Sequence, residues 1–178
     1  MEKPTIEDIS QALKEKFGDS ILMQEQLYDT PVFTIKKESA VPVLRFLYEN
    51  ESFQFQYLTA LCGLHYPEAP QPFGVMYQVH SLIHNIRLRF KAFTTKEDLE
   101  YESLTAVFSA ANWMERETYD FYGIKFKGHP DLKRILNVDD MDYFPMRKEY
   151  RLEDETRTDK NDTMFGREGN EVVRFKER

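Results

Sequence analysis

Residues 112–136 read NWMERETYDFYGIKFKGHPDLKRIL, and this stretch decides how the rest of the chain is interpreted. At about 100° per residue, one apolar stripe emerges on its first half, which predicts a helix packed against a core. The members of the stripe are Trp113, Met114, Phe121 and Ile124. Glu117 lies in the middle of it. Because an unpaired buried charge costs several kcal/mol, the pattern predicts a buried or half-buried Glu117 with a cationic partner.

The partner of Glu117 is expected to come from another element. Arg116 is its neighbour in sequence but points about 100° away on a helix. The arginines that can supply a better-placed guanidinium are Arg87, Arg89 and Arg134. Two interpretations of such a pair stay open: a structural pair that fixes how the helix docks, or a charge reserved for a partner protein or a proton path.

The second half of the stretch is punctuated by turn residues. Gly123 is placed to end the helix in the left-handed conformation. Residues 124–127 then leave room for a short strand, and Gly128, His129, Pro130 and Asp131 together predict a tight turn. His129 is expected to cap backbone groups there, although its titration near neutral pH leaves a proton-linked role open. Lys133 and Arg134 are predicted to be cations on an exposed segment.

The preceding residues predict a sheet with two helices. Two helices are expected: one capped by Thr5 and Asp8 that ends at Gly18, and one that begins at Pro42. Strands are expected at residues 21–28, 32–36 and 53–64, and a hairpin at residues 73–83 and 85–93. A loop is expected at residues 94–101. Alternation of Arg87, Arg89 and Lys91 with apolar residues gives the last hairpin strand one apolar and one basic face. That basic row is either a solvated face or a contact for an acidic partner.

Composition excludes several classes of function. A net charge of −7 over 178 residues argues against nucleic acid as a partner. One cysteine, Cys62, forms no disulfide within the chain and by itself holds no iron–sulfur cluster. No apolar run approaches the roughly 20 residues that span a bilayer, and no signal pattern precedes the first helix. We therefore expect a soluble, cytoplasmic protein that meets a membrane only through a partner.

Catalytic chemistry has little support in the sequence. Glu115 and Glu117 point about 160° apart on a helix, so they do not flank one bond as an acid and base pair. His80 and His84 lie about 13 Å apart if both belong to a strand, too far to share a metal. No glycine-rich strand-to-helix loop offers a cradle to a dinucleotide or a triphosphate.

The stretch resembles the signature of the C subunit of bacterial NADH dehydrogenase, respiratory complex I, which the mitochondrial thirty-kilodalton subunit shares. The matching positions are Glu115, Arg116, Glu117, Tyr119, Asp120, Gly123, Gly128, His129, Pro130, Asp131, Leu132, Arg134, Ile135 and Leu136. Similar patterns at residues 58–59, 66–67, 77–89 and 145–150 extend the resemblance over residues 20–150.

The resemblance implies an α+β fold of two layers, with a mostly antiparallel, mixed sheet and helices on one face. We expect one domain at residues 1–146 and an extended, charged C-terminal arm at residues 147–178. The implied function is that of a non-catalytic, peripheral-arm subunit of a proton-translocating NADH:quinone oxidoreductase, on the cytoplasmic side of the cell membrane. It would contact subunits D, B and I, and those partner subunits, rather than this chain, would hold FMN, iron–sulfur clusters and quinone.

Two alternatives remain at this level. The first is the same role in a related machine, such as a membrane-bound hydrogenase or a plastid-type dehydrogenase. The second is a free-standing enzyme that uses Glu115, Asp120 or His129.

Overall fold

Local signals in the sequence set the ends of the helices in the computed structural model, which describes residues 3–150. Thr5 and Asp8 form a capping box, in which the Thr5 hydroxyl accepts from the Asp8 amide and the Asp8 carboxylate accepts from the Thr5 amide. The elements in chain order are α1 (Ile6–Phe17), β1 (Ile21–Leu27), β2 (Thr30–Ile35), α2 (Ala40–Glu49), β3 (Tyr57–His65), β4 (Phe73–Ser81), β5 (Ile86–Thr94), β6 (Glu100–Glu102), α3 (Ala111–Tyr122) and β7 (Lys125–Lys127).

Five strands form one mixed sheet in the order β1-β2-β5-β4-β3. Both predicted hairpins are present, β1 with β2 and β4 with β5, and both are antiparallel. β2 and β5 are parallel neighbours, since α2 and two further strands separate them in the chain. The strands β3 and β1 are therefore the two edges of the sheet.

All three helices bury side chains against the same face of this sheet, which we call the inner face. Ile9 and Leu13 of α1, Leu44 of α2 and Ala111 of α3 belong to one hydrophobic cluster. The cluster includes the inner-face residues of the central strands, such as Val75, Tyr77, Val79, Leu88 and Phe90. The predicted α+β class, with a mixed and mostly antiparallel sheet and helices on one face, is confirmed.

Some boundaries differ from the prediction. β3 begins at Tyr57 rather than at residue 53, because Phe53 and Phe55 are buried in the irregular connection that precedes it. The predicted loop at residues 94–101 contains the start of β6, which pairs in parallel with β7. β6 is only three residues long, and its pairing depends on a strand more than twenty positions away, so no local pattern marks it.

Most of the predicted C-terminal arm, from residue 151 onward, lies outside the described residues. Two of the four described residues of the arm hydrogen-bond to the domain. The Arg147 Nε atom donates to the carbonyl oxygen of Tyr122 at 2.8 Å, and the Lys148 amide donates to Nδ1 of His65 at 2.9 Å. The chain thus leaves the described part beside the end of α3 and the end of β3.

Candidate functional site

The signature helix α3 has three faces with different surroundings. One face packs on the sheet and carries Ala111, Glu115 and Thr118, all buried. A second face, which carries Arg116 and Asp120, is covered by residues 128–150, a stretch without regular helix or strand that we call the anchored segment. The third face is exposed and carries Trp113 and Glu117.

Asp120 holds the anchored segment by its backbone amides. Its Oδ2 atom accepts from the amides of Ile135, Leu136 and Asn137, at 3.1, 2.8 and 2.9 Å, and its Oδ1 atom accepts from the Asn137 side chain at 3.0 Å. Arg134 donates to Oδ1 as well, at 2.8 Å. Burial alone raises the pKa of this carboxyl, but the hydrogen bonds from Asn137, Leu136 and Arg134 outweigh burial and hold it well below its usual value. Asp120 is therefore a permanent, fully satisfied anion.

Two arginines bind the carbonyl oxygens of the same segment. Arg116 donates to the carbonyls of Lys133 and Arg134, at 3.2 and 2.9 Å. Arg134 donates to the carbonyls of Met141 and Tyr143, at 2.6 and 3.2 Å. The prediction that Arg134 is an exposed cation is wrong, because its side chain is only 10% exposed and is paired with Asp120. Lys133 is exposed, as expected.

Glu115 holds a different connection, the one between β6 and α3. Its Oε1 atom accepts from the Leu104 amide at 2.7 Å, and its Oε2 atom accepts from the Ser103 hydroxyl at 2.7 Å. The side chain is fully buried, and no cation pairs with it among the described residues. Burial raises the pKa of Glu115 to about 7, although the two hydrogen bonds lower it.

The turn residues of the signature have structural tasks as well. Gly123 ends α3 in the left-handed conformation, at φ 73°, and its amide donates to the Tyr119 carbonyl at 2.8 Å. His129 accepts from the Asp131 amide at Nδ1, so its Nε2 atom carries the proton and donates to the Asn112 carbonyl at 3.0 Å. The prediction that His129 caps backbone groups in a turn is confirmed.

The other members of this turn are at the surface. Gly128 has φ 84°, and Pro130 is exposed. Asp131 pairs with Lys133 at 2.7 Å, and this contact lowers the pKa of its exposed carboxyl.

The prediction of a buried Glu117 is wrong. Glu117 is exposed, and Trp113 of the same stripe is 62% exposed. Within residues 3–150 the Glu117 carboxylate has neither an ion pair nor a hydrogen bond, and Arg134, one of its predicted partners, is paired with Asp120. The apolar stripe is misleading because α3 turns its polar residues toward the amides and carbonyls of two loops, which leaves Trp113 outside.

The other two predicted partners, Arg87 and Arg89, lie on the outer face of the sheet. Arg87 is exposed, and Arg89 donates through Nε and Nη2 to the Gln78 side chain, at 3.2 and 2.9 Å. Neither arginine reaches Glu117 by a salt bridge within the described part of the chain. The structure therefore brings Glu115, Arg116, Asp120, Gly123, His129 and Arg134 together around α3, and it leaves Arg87, Arg89 and Glu117 unpaired with one another.

Sequence reasoning missed Ser103, Leu104 and Asn137 as partners of the two buried carboxylates. The only available signal was the close spacing of Ser103 and Thr105, whose hydroxyls lie 2.8 Å apart, since hydroxyl residues before a helix often bind local polar groups. Among residues 3–150, no cluster of three or more His, Cys, Asp or Glu side chains has the geometry of a metal site.

Comparison with known proteins gives a match over most of this architecture. The family model described as "Respiratory-chain NADH dehydrogenase, 30 Kd subunit" matches residues 33–156. The chain belongs to this family. The matched range contains the whole signature helix and the anchored segment, so the contacts of Glu115, Asp120 and Arg134 described above are features of this family member.

Proteins whose sequences are similar to this chain are named as the C subunit of NADH-quinone oxidoreductase. The protein of this name from Rhizobium etli, numbered C 2, is 40% identical over 141 residues, which cover 79% of this chain and 74% of that protein. The one from Geobacter sulfurreducens is 39% identical over 142 residues, which cover 79% of this chain and 86% of that protein. Both relatives are thus named as subunits of an NADH-quinone oxidoreductase.

Two solved structures have a similar fold. The trypsin-resistant fragment (1-134) of Nqo5 aligns with a TM-score of 0.59 at 25% identity, over 70% of this chain and 98% of that one. A chain of the membrane-bound sulfane sulfur reductase, an archaeal respiratory membrane complex, aligns with a TM-score of 0.69 at 17% identity, over 82% of this chain and 85% of that one. The second likeness concerns the fold alone. No helix within residues 3–150 has the length and apolarity needed to cross a bilayer.

Proposed function

We propose that this chain is a non-catalytic subunit of the peripheral arm of a proton-translocating NADH:quinone oxidoreductase, and that it scaffolds the quinone-reducing module. In this proposal it contacts subunits D, B and I on the cytoplasmic side of the cell membrane. FMN, the iron–sulfur clusters and quinone are held by those and other partner subunits, and this chain carries none of them. Nucleic acid is not a partner, and the membrane is reached only through the complex.

The proposal depends on one observation: the polar side chains of the signature are already hydrogen-bonded within the chain. Asp120 accepts five hydrogen bonds, Glu115 accepts two, and both ring nitrogens of His129 are occupied. A general acid, base or nucleophile needs a free proton or lone pair within reach of a substrate. These residues instead hold two loops in place against α3, which supports a role in shape rather than in turnover.

The exposed face of α3 supports a role in contact. Trp113 is 62% exposed and Arg116 lies over its indole ring, with 5.2 Å between the guanidinium carbon and the ring centroid. Glu117, one turn further along, presents a carboxylate without an ion pair in residues 3–150. Tryptophan and arginine are among the residues most enriched at interface hot spots. In this proposal a partner subunit supplies an apolar pocket for Trp113 and a cation for Glu117.

The test uses membranes of the native host with the gene for this chain deleted and then restored. Deletion is expected to abolish NADH:quinone reductase activity while NADH oxidation with an artificial electron acceptor persists, because the electron-input module does not need the scaffold. Restoration with the tagged chain should return quinone reduction and should co-purify subunits D, B and I. Normal quinone reduction without this chain would contradict the proposal, and so would turnover of NADH by the purified chain.

A second candidate is the same scaffolding role in a related membrane-bound complex with a different electron donor. The fold it shares with a chain of the sulfane sulfur reductase favours this possibility. The two candidates differ in the subunits that co-purify. NADH-oxidising subunits in the tagged preparation support the first candidate, whereas their replacement by subunits that oxidise another donor supports the second.

A further inference from the structure

The outer face of the five-stranded sheet has no helix against it in the described part of the chain. All three helices bury their apolar side chains on the inner face. In the strand register, residues that lie opposite one another on neighbouring strands form rows across the sheet, and each row on the outer face contains one residue from each strand. The central row consists of Glu25, Val32, Arg89, Gln78 and Ala60, and the adjacent row consists of Met23, Thr34, Lys91, Met76 and Cys62. We call these two rows, together with Arg87, the outer basic face.

The positive charge of this face is only partly neutralised by the chain itself. Lys91 has an acidic neighbour, since its Nζ atom lies 3.4 Å from Glu25. Arg89 is bound by Gln78, which is neutral, so its side chain is oriented but keeps its charge. Arg87 is exposed and forms no salt bridge within residues 3–150. Two guanidinium groups are therefore presented from one strand of a chain whose net charge is −7.

Apolar side chains flank these charges on the same face. Met23 at one edge is 51% exposed, and Tyr57 at the other edge is 50% exposed. Cys62 is exposed on β3, two strands from Arg89. Arginine, methionine and tyrosine, which this face presents, are residue types enriched at protein interfaces. Arginine in particular suits a carboxylate partner, because its planar fork donates two parallel hydrogen bonds.

We propose that the outer basic face docks against an acidic surface of another subunit, with carboxylates of that partner bound to Arg87 and Arg89. The proposal rests on the proposed function, because it presumes an assembly around this chain. A second copy of the chain is an unsuitable occupant, since the only carboxylate in the two rows of this face, Glu25, is already paired with Lys91. The arginines belong to the sheet and Trp113 belongs to α3, so this face extends the contact proposed for the helix across the edge strand β3, where Glu117 lies near Cys62.

Cys62 is a reporter for this surface, because it is the only cysteine of the chain. The intact complex is treated with a maleimide, which reacts with the thiolate form of cysteine. Mass spectrometry then follows the peptide that contains Cys62.

The reference for the intrinsic labelling rate of Cys62 is the wild-type chain released in mild denaturant. A reference is needed because desolvation and the nearby Glu117 raise the pKa of this thiol, while Arg89 lowers it. Docking predicts labelling at least about tenfold slower in the complex than in the released chain, because interface cores exclude solvent. Equal rates would overturn the proposal.

Charge variants test the arginines themselves. The double variant Arg87→Glu with Arg89→Glu is introduced into the tagged chain in the native host and compared with Lys125→Glu plus Lys127→Glu, which makes the same change in charge at exposed positions of β7. We expect the arginine variant to be lost from the complex at moderate salt and the lysine variant to be retained. Arg87→Lys with Arg89→Lys should restore retention in part, because it keeps the charge and loses the bidentate geometry.

Further variants and measurements distinguish a loss of docking from a loss of folding and from binding to a membrane. If the glutamate variant is degraded, Arg87→Gln with Arg89→Gln replaces it, because these residues remove the charge without adding repulsion. Retention of a folded arginine variant at the wild-type level, with Cys62 still protected, overturns the proposal while the proposed function stands. Loss of all respiratory subunits from the wild-type preparation overturns the proposed function instead. Binding of the released wild-type chain to phosphatidylglycerol vesicles, abolished in the arginine variant, would assign the face to lipid and also overturn the proposal.

Discussion

Arg134 binds Asp120 at two atoms: its Nη1 atom donates to Oδ1 at 2.8 Å and to the backbone carbonyl oxygen at 3.1 Å. The same guanidinium reaches the Met141 carbonyl through Nη2 at 2.6 Å. One side chain thus connects the last turn of α3 to two positions of the anchored segment. Because the anchored segment has no helix or strand of its own, its position depends on such contacts.

We expect Asp120→Asn to destabilise the chain strongly. An amide at this position keeps the shape but leaves Arg134 buried without a counter-charge and weakens the acceptor for three backbone amides. Breaking one partner of a buried ion pair costs about 3–5 kcal/mol in the free energy of unfolding. Urea unfolding of the purified chain measures the loss. The matched control is Asp131→Asn, an exposed carboxylate paired only with exposed Lys133, for which the change should stay below about 0.5 kcal/mol. Equal effects of the two variants would contradict this account of Asp120.

The buried Glu115 predicts a pH-dependent stability. Its pKa of about 7 in the folded chain exceeds the ordinary value of 4.5, so the folded state binds the proton more tightly than the unfolded state. The stabilisation is complete below about pH 4.5 and is lost as the pH rises to about 7, with a total of roughly 3 kcal/mol at 1.36 kcal/mol per pKa unit. Glu115→Gln should remove this component, since glutamine does not titrate. Urea midpoints between pH 5 and pH 8 test the prediction, and parallel curves for the two proteins would refute it.

Two glycines of the signature predict different costs when a methyl group is added. At Gly123 a Cβ atom would lie 2.6 Å from both the Arg147 guanidinium and the Phe144 ring, and the backbone is left-handed. At Gly128 the backbone is also left-handed, but no atom lies within 4 Å of the added carbon. Gly128→Ala should therefore cost only the conformational term, about 1 kcal/mol, and Gly123→Ala should cost about 1–3 kcal/mol more because the packing must also shift. Thermal melts of both variants measure the difference, and equal melting temperatures would exclude the steric contribution.

The exposed carboxylate of Glu117 predicts an effect on assembly without an effect on the fold. Glu117→Gln should change the free energy of unfolding by less than about 0.5 kcal/mol, as is usual for surface substitutions. In the tagged complex it should reduce co-purification of the neighbouring subunits or make it more sensitive to salt. Glu51→Gln, a change of the same type at an exposed position beyond α2, is the control and should leave assembly intact. A large drop in the stability of the isolated Glu117→Gln chain, with normal assembly, would contradict the interpretation.

Local sequence patterns predicted most of the secondary structure. The Thr5 and Asp8 capping box, the glycine that ends α3 and the alternation along β5 each act through neighbours in the chain, so each is legible without tertiary information. The basic and apolar faces of β5 followed from the same alternation. The family signature was also recognisable, because it occupies a short, continuous stretch.

The tertiary structure alone decided which carboxylates are buried. On a helical wheel Glu117 lies in the middle of the apolar stripe and Asp120 at its edge, beside Trp113, yet Asp120 is inaccessible and Glu117 is exposed. Asp120 accepts hydrogen bonds from backbone amides of residues 135–137, and Glu115 accepts hydrogen bonds from residues 103–104. Every residue type except proline has a backbone amide, so the sequence does not show which amides bind a carboxylate. The identities and spacing of the residues thus determined the helices, the strands and the family. The paths of two loops across α3 determined which charged side chains are buried and which stay exposed for a partner.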